Sequence, residues 1–201
     1  MRILIACEFS GMVRREFAKL GHDVWSCDLL PAADYHAKHI VGNVLDVLGG
    51  NWDLMVAHPP CTYLCSSGLH WNKKDNSRAA KTLHALAFVQ QLMNAPIERI
   101  AIENPIGCIS TQIRKPDQII QPYQFGHNAS KATCLWLKNL PKLPIDAGLY
   151  VQPRIVNGKK RWDNQTDSGQ NRLTPSNDRW ALRSVTYKGI AQSMAKTWGN
   201  L

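Results

Sequence analysis

The run Arg2-Ile-Leu-Ile-Ala-Cys7 is almost wholly apolar and does not alternate. A strand built this way must be covered on both faces, which places it centrally in a parallel sheet. Further short strand-like runs follow at His22–Cys27, Ile40–Val47, Asp53–Ala57 and Arg99–Ile102. Helix-period segments separate them. Val13, Phe17 and Leu20 form one apolar stripe, and Ser77–Asn94 presents Leu83, Leu86, Ala87 and Leu92. Strands alternating with helices predict an α/β fold with a doubly wound, mostly parallel sheet. Gln118–Gln121 and Thr133–Leu137 read as a C-terminal antiparallel hairpin. The length suits one domain over 1–201, with a polar basic segment at 149–184. A closing helix lies within 185–201, where Ile190, Met194 and Trp198 recur at i, i+4, i+8.

Ser10 is placed to cap the first helix, with Arg14, Arg15 and Lys19 on its outer face and Gly21 at its end. Asp28 stands at the end of the second strand, and Asp46 at the end of the third run. Strand, glycine turn, helix, strand, acid is the order of a nucleotide-binding unit. The fingerprint is spare: Gly11 is its one glycine, and Val13 sits where a second would fall.

Residues His58–Gly68 read HPPCTYLCSSG. Pro59 and Pro60 fix the backbone directly after an apolar run and deliver Cys61 on a stiff corner. Glu103-Asn104-Pro105 repeats the device at the end of the next strand, while Ser66–Asn76 reads as a polar loop able to move. Strand ends of this kind carry the chemistry of a parallel sheet. A thiolate is a strong nucleophile, and cations or a helix N-terminus lower its pKa. A carboxyl whose pKa is raised by burial can donate a proton. The pair suits addition across a pyrimidine's carbon 5–carbon 6 double bond. The thiol adds at carbon 6, the acid polarises ring nitrogen 3, and carbon 5 becomes able to take a methyl group.

Lys and Arg outnumber Asp and Glu by 24 to 15, a net +9 that favours a polyanionic partner. Residues 153–183 hold seven Arg or Lys against three Asp, with Trp162 and Trp180 among them. Interleaved cations and aromatics suit phosphate contact and base stacking; a disordered surface loop is the alternative. Lys159, Lys160, Arg161 and Arg172 are the contacts expected from this segment. His127 and Lys131 are expected to touch substrate from the polar loop before Thr133. Cys7, Cys27 and Cys134 lie in apolar runs as buried thiols of a reduced, cytoplasmic protein. No window is long and apolar enough for a membrane span, and MRILIACE reads as a first strand, not a signal peptide.

The order Phe9-Ser10-Gly11, Asp28, Asp46, Pro59-Pro60-Cys61, Glu103-Asn104-Pro105 resembles the cytosine-5 DNA methyltransferases. The resemblance covers most of the chain in sequential order. It implies a Rossmann-like fold and methyl transfer from S-adenosylmethionine to cytosine in DNA, in a small phage or bacterial form. Cys61 would be the nucleophile and Glu103 the acid that holds the base. Phe9, Ser10, Gly11, Asp28, Asp46, Pro59 and, on the last helix, Ser193 would bind the cofactor. Lys131 falls where the family places target-binding arginines. The family's large target-recognition domain has no counterpart here beyond 149–184. Duplex DNA, single strands, RNA and a free nucleotide therefore stay open as substrates.

Three rival readings remain. His58, Cys61, Cys65 and His70 are all metal-ligand types, but Cys-x₃-Cys lacks the usual knuckle spacing and no metal is expected. His-Pro-Pro-Cys also resembles the Asp-Pro-Pro-Tyr loop of methyltransferases acting on exocyclic amino groups, with Tyr63 available to stack. The third rival is a module that binds nucleic acid without catalysis.

Overall fold

A computed structural model describes residues 1–201. In chain order the elements begin with β1 (Arg2–Ala6), α1 (Met12–Ala18), β2 (Asp23–Asp28), β3 (His39–Val41) and β4 (Leu54–Ala57). There follow α2 (Ser66–Leu69), α3 (Asn76–Met93), β5 (Arg99–Pro105), α4 (Ile109–Gln112), β6 (Gln118–Ile120) and β7 (Thr133–Lys138). The chain ends with β8 (Arg154–Val156), β9 (Lys159–Arg161), α5 (Arg179–Ser184) and α6 (Lys188–Trp198).

The seven-stranded sheet has the order β3-β2-β1-β4-β5-β7-β6. Strands β1 to β5 pair in parallel, whereas β7 runs antiparallel to both β5 and β6. The doubly wound sheet with its antiparallel hairpin is as expected. β8 and β9 form a separate hairpin within the basic segment.

Alternate residues of each strand serve opposite layers, which is why the strands read as unbroken apolar runs. Leu4, Met55, Ile100 and Trp136 face Leu86, Val89 and Leu92 of α3. Ile3, Ile5, Val56 and Leu135 face Val13 and Phe17 of α1, together with Ile190, Met194 and Trp198 of α6. The closing helix thus packs beside α1, as its spacing requires.

Several local expectations are corrected. Leu20 lies outside the α1 stripe and is 44% exposed. Arg14, expected on the outer face, is buried because both oxygens of Asp34 accept from its Nη2 at 2.6 Å. The Ile40–Val47 run splits into β3 and a 3-10 turn at Val44–Val47, initiated by Asn43. Ser66–Asn76 is not an open loop: α2 continues into a 3-10 turn at His70–Lys73, and Asp75 caps α3.

The basic segment is ordered by its own side chains. Arg154 and Arg172 donate to the Gln165 carbonyl, and Arg161 donates to the carbonyls of Lys160, Asp167 and Ser168. Trp162 is buried, stacks on Tyr123 at 4.0 Å and donates to the Val151 carbonyl. These contacts give Arg154–Arg172 a defined arrangement. They also withdraw Trp162 from base stacking.

Candidate active site

The strand order reverses between β1 and β4, the switch point where open α/β sheets bind ligands. Cys61 and Glu103 lie at the carboxyl ends of β4 and β5, which are neighbouring strands. The loop carrying Cys61 is fastened to the Glu103 segment at several points. Asn104 Nδ2 donates to the Pro59 carbonyl at 2.7 Å. Farther along, the amides of Ser66 and Cys108 donate to the carbonyls of Ile106 and Leu64, at 3.0 and 2.9 Å. Gly107 permits this approach, since a Cβ there would stand 1.9 Å from the Leu64 oxygen.

Glu103 is largely buried, and His58 Nδ1 lies 2.8 Å from its Oε2. Burial alone would raise the Glu103 pKa. The hydrogen bond and charge of His58, with Lys131 and Thr133, outweigh it and hold the carboxyl below its ordinary range. Cys61 is exposed. Partial loss of water around its sulfur, then Cys65 and Glu103, nonetheless push its pKa up against the pull of Lys131. Both shifts run opposite to the expectation. The resting pair is a thiol beside a carboxylate, because the cations here act more strongly on the buried acid than on the sulfur.

A cavity of about 510 Å³, within the range of small-molecule sites, is lined by Pro60 and Tyr63 of the Cys61 loop, while Cys61 and Glu103 themselves do not line it. Cys7, Cys27, Asp28, Asn43 and Pro60 line it from the strand ends, and Ala85 and Phe88 line it from α3. Cys7 adopts a left-handed φ of 57°, a conformation that costs energy for a residue with a side chain. Burial and the nearby Asp28 raise its pKa to about 12, so its thiol stays neutral.

Of the residues expected to bind a cofactor, Asp28 lines this cavity, whereas Phe9, Ser10, Gly11, Asp46, Pro59 and Ser193 do not. Phe9 lies against Trp180 of α5, with ring centroids 5.7 Å apart. Gly11 is the residue preceding α1, held at φ 67° beside Asp34. Ser10 Oγ accepts weakly from the Met12 amide, but Glu8 is the principal partner of the helix start. Its carboxylate accepts from the amides of Val13 and Arg14 at 2.7 and 3.3 Å. That buried carboxylate fills the position where a dinucleotide fold receives phosphate. Glu8 was not singled out in the sequence, although an acid three residues before Gly11 could have signalled it. Asp46 is exposed in the 3-10 turn, and Ser193 sits on α6 in the opposite layer.

A second cavity, about 720 Å³, lies between the basic segment and the chain before β7. Lys131, Arg172, Arg183 and Lys188 line it, and none of its fifteen lining residues is acidic. Lys131 joins the two regions: its charge acts on Cys61 and Glu103, and its Nζ donates to the Arg183 carbonyl. Lys159 and Lys160 lie exposed on the β8–β9 hairpin, while Arg161 is engaged by backbone carbonyls. His127 is also engaged, for its Nε2 accepts from the Gly189 amide at the start of α6.

The stretch read as a mobile loop, with Tyr63 before it and the first turns of α3 after it, forms a basic and aromatic wall that the sequence reading missed. Trp71 is half exposed beneath Lys74, and Arg78 and Lys81 lie over the Tyr63 ring. Lys73, Lys74, Arg78 and Lys81 recur within nine residues, which is the signal that could have found it. No group of three or more His, Cys, Asp or Glu side chains is arranged to hold a metal ion.

No protein-family model matches the chain, and no curated protein matches it. Among solved structures it is similar to a candidate DNA modification methyltransferase encoded within a prophage (E. coli), with a TM-score of 0.42 and 14% identity. The match covers 67% of this chain and 45% of that one, so the chain spans less than half the length of that structure.

Proposed function

We propose that the chain transfers a methyl group from S-adenosylmethionine to carbon 5 of cytosine in DNA, with Cys61 as nucleophile and Glu103 as the group that holds the base. The observation that carries this reading is the fastening of the Pro-Pro-Cys loop to the Glu-Asn-Pro segment, which ties together the strand ends that carry Cys61 and Glu103, next to the switch point.

The cavity lined by Pro60, the residue before Cys61, suits the cofactor. Asp28 offers a carboxylate to ribose hydroxyls, and Val44 and Phe88 offer apolar walls to a purine. The buried Glu8 at the start of α1 favours a ligand with no phosphate there. S-adenosylmethionine has none, and when bound it supplies an electrophilic methyl group. Cys61 adds to carbon 6 and releases its proton as it does so. Glu103 faces ring nitrogen 3 and the exocyclic amine, and the stapled loop keeps the two groups in register. Lys131 and the acid-free cavity behind it receive the phosphates of the target strand. A duplex target must be flipped from its stack, at a cost of a few kcal/mol.

Incubation with methyl-labelled S-adenosylmethionine and cytosine-containing DNA tests the proposal. Label is expected in 5-methylcytosine and is expected to vanish in Cys61→Ser. Label on an exocyclic amine, or transfer that survives loss of the thiol, contradicts it.

A further inference from the structure

We infer that His58 and Glu103 act as one proton-carrying pair, in which His58 is a positioning residue that lends Glu103 the proton it passes to the base. The inference rests on the reading of Glu103 as the base-holding acid.

The contact follows from the sheet. β4 and β5 are parallel, and the last registered pair is Ala57 with Ile102, so His58 and Glu103 fall side by side immediately beyond it. The His58 amide still donates to the Ala6 carbonyl at 2.9 Å, which holds the residue in line before the two prolines turn the chain. Antiparallel pairing with Leu135 of β7 fixes Glu103 from its other side. The side chains meet at 2.8 Å, with 9% and 13% of their surfaces exposed.

The imidazole has one partner. Its Nδ1 faces Glu103 Oε2, while its Nε2 is buried with no hydrogen bond. A proton on Nδ1 therefore has one route out, through the carboxylate. The other groups acting on Glu103 are Lys131 and Thr133, from the chain entering β7 and its first residue. Both direct hydrogen bonds elsewhere: Lys131 Nζ donates to the Arg183 carbonyl, and the Thr133 hydroxyl donates to the Lys131 carbonyl. Cys61 and Cys134 are the remaining titratable groups that feel this carboxylate.

The pair resolves a difficulty in the proposed chemistry. An ionised carboxylate cannot by itself protonate ring nitrogen 3. As the Cys61 sulfur bonds to carbon 6, the carbon 5–carbon 6 and carbon 4–nitrogen 3 double bonds become one carbon 4–carbon 5 double bond. The His58 ring, as an imidazolium, gives its Nδ1 proton to the Glu103 carboxylate as Glu103 passes one to nitrogen 3, which leaves a neutral imidazole and an ionised Glu103, and the thiol proton leaves to water. After carbon 5 has gained its methyl group and lost its hydrogen to water, the sulfur–carbon 6 bond breaks. Nitrogen 3 then returns its proton to Glu103, and Glu103 returns it to His58.

Two measurements decide the matter. The first is the ¹⁵N NMR spectrum of the His58 ring in the wild type and in Glu103→Gln at one fixed pH, which needs no turnover. Removing the carboxylate is expected to move the Nδ1 resonance; an unchanged ring spectrum overturns the pair. The second compares methyl transfer against pH in the wild type and in His58→Asn, whose amide can replace the Nδ1 donor without carrying a proton. The variant is expected to lose about 10²-fold in kcat, with KM for DNA retained, and to lose the falling alkaline limb. A kcat within about threefold of wild type, with that limb intact, overturns the inference. If the wild type makes no 5-methylcytosine while the ring spectrum shows coupling, the cytosine-5 reading fails and the pair stands. Should His58→Asn not fold, His58→Gln takes its place in the second measurement.

Discussion

Asn104 Nδ2 donates to the Pro59 carbonyl oxygen at 2.7 Å, tying the residue after Glu103 to the loop that presents Cys61. Asn104 is 1% exposed, so no water stands ready to replace it. Asn104→Ala leaves a buried carbonyl without its donor, which costs about 1–3 kcal/mol. Urea denaturation is expected to show that loss, and methyl transfer is expected to fall further than cofactor affinity. Unchanged stability would mean that the contact does not hold the loop.

Gly107 supports the same join from the other side. A Cβ at this position would meet the Leu64 oxygen and carbon at 1.9 and 2.8 Å, and both are backbone atoms with little room to yield. Gly107→Ala is expected to push the Cys61 loop off the Glu103 segment, at about 1–3 kcal/mol. Calorimetry should find S-adenosylmethionine binding nearly intact while transfer collapses. Equal losses of both would place the damage elsewhere.

The sheet was legible because both-face burial leaves a plain mark: RILIAC and DLMVA are apolar without alternation. The ends of β4 and β5 were legible through their prolines. Contacts made across the sequence were not. Arg14 read as a surface cation because its partner Asp34 lies twenty residues away, outside the helix that carries it. Phe9 and Ser193 were assigned to the cofactor by resemblance, whereas Trp180 meets the first and the α6 packing carries the second to the other layer. The charge states of Cys61 and Glu103 were reversed for a similar reason. His58 stands three residues from Cys61 in sequence, but its ring points across the sheet to Glu103.

Two shielded thiols, the half-buried Cys7 and the buried Cys27, are expected to set the alkaline limit of stability. Burial and the Asp28 carboxylate raise Cys7 from 9.0 to about 12 and Cys27 from 9.0 to about 11. The native chain thus keeps protons that the unfolded chain has released. Their contribution is whole below pH 9 and is lost as pH rises toward 11 and 12. The denaturation midpoint is expected to fall across that window, and less steeply in Cys27→Ala. A midpoint level from pH 9 to 11 would contradict this account.

Neighbouring cations on β9 are expected to behave differently in DNA binding. Lys159 and Lys160 are exposed, whereas Arg161 is held by the carbonyls of Lys160, Asp167 and Ser168. Replacing both lysines with alanine is expected to reduce the slope of log affinity against log salt by up to about 2. Arg161→Ala is expected instead to open residues 162–172 to protease. Equal salt slopes for the wild type and the double lysine variant would remove the hairpin from the interface.

The central claim is that Cys61 bonds to carbon 6 of a cytosine held by Glu103, and trapping that bond tests it most directly. A DNA oligonucleotide carrying 5-fluorocytosine blocks loss of the carbon 5 substituent, so the adduct should persist. The account predicts that, with S-adenosylmethionine present, a denaturant-stable protein–DNA species forms and peptide mass spectrometry places the link on Cys61. It predicts no such species in Cys61→Ser. Methylation of unmodified DNA by a chain that never forms the adduct, or a link through Cys65, would contradict it.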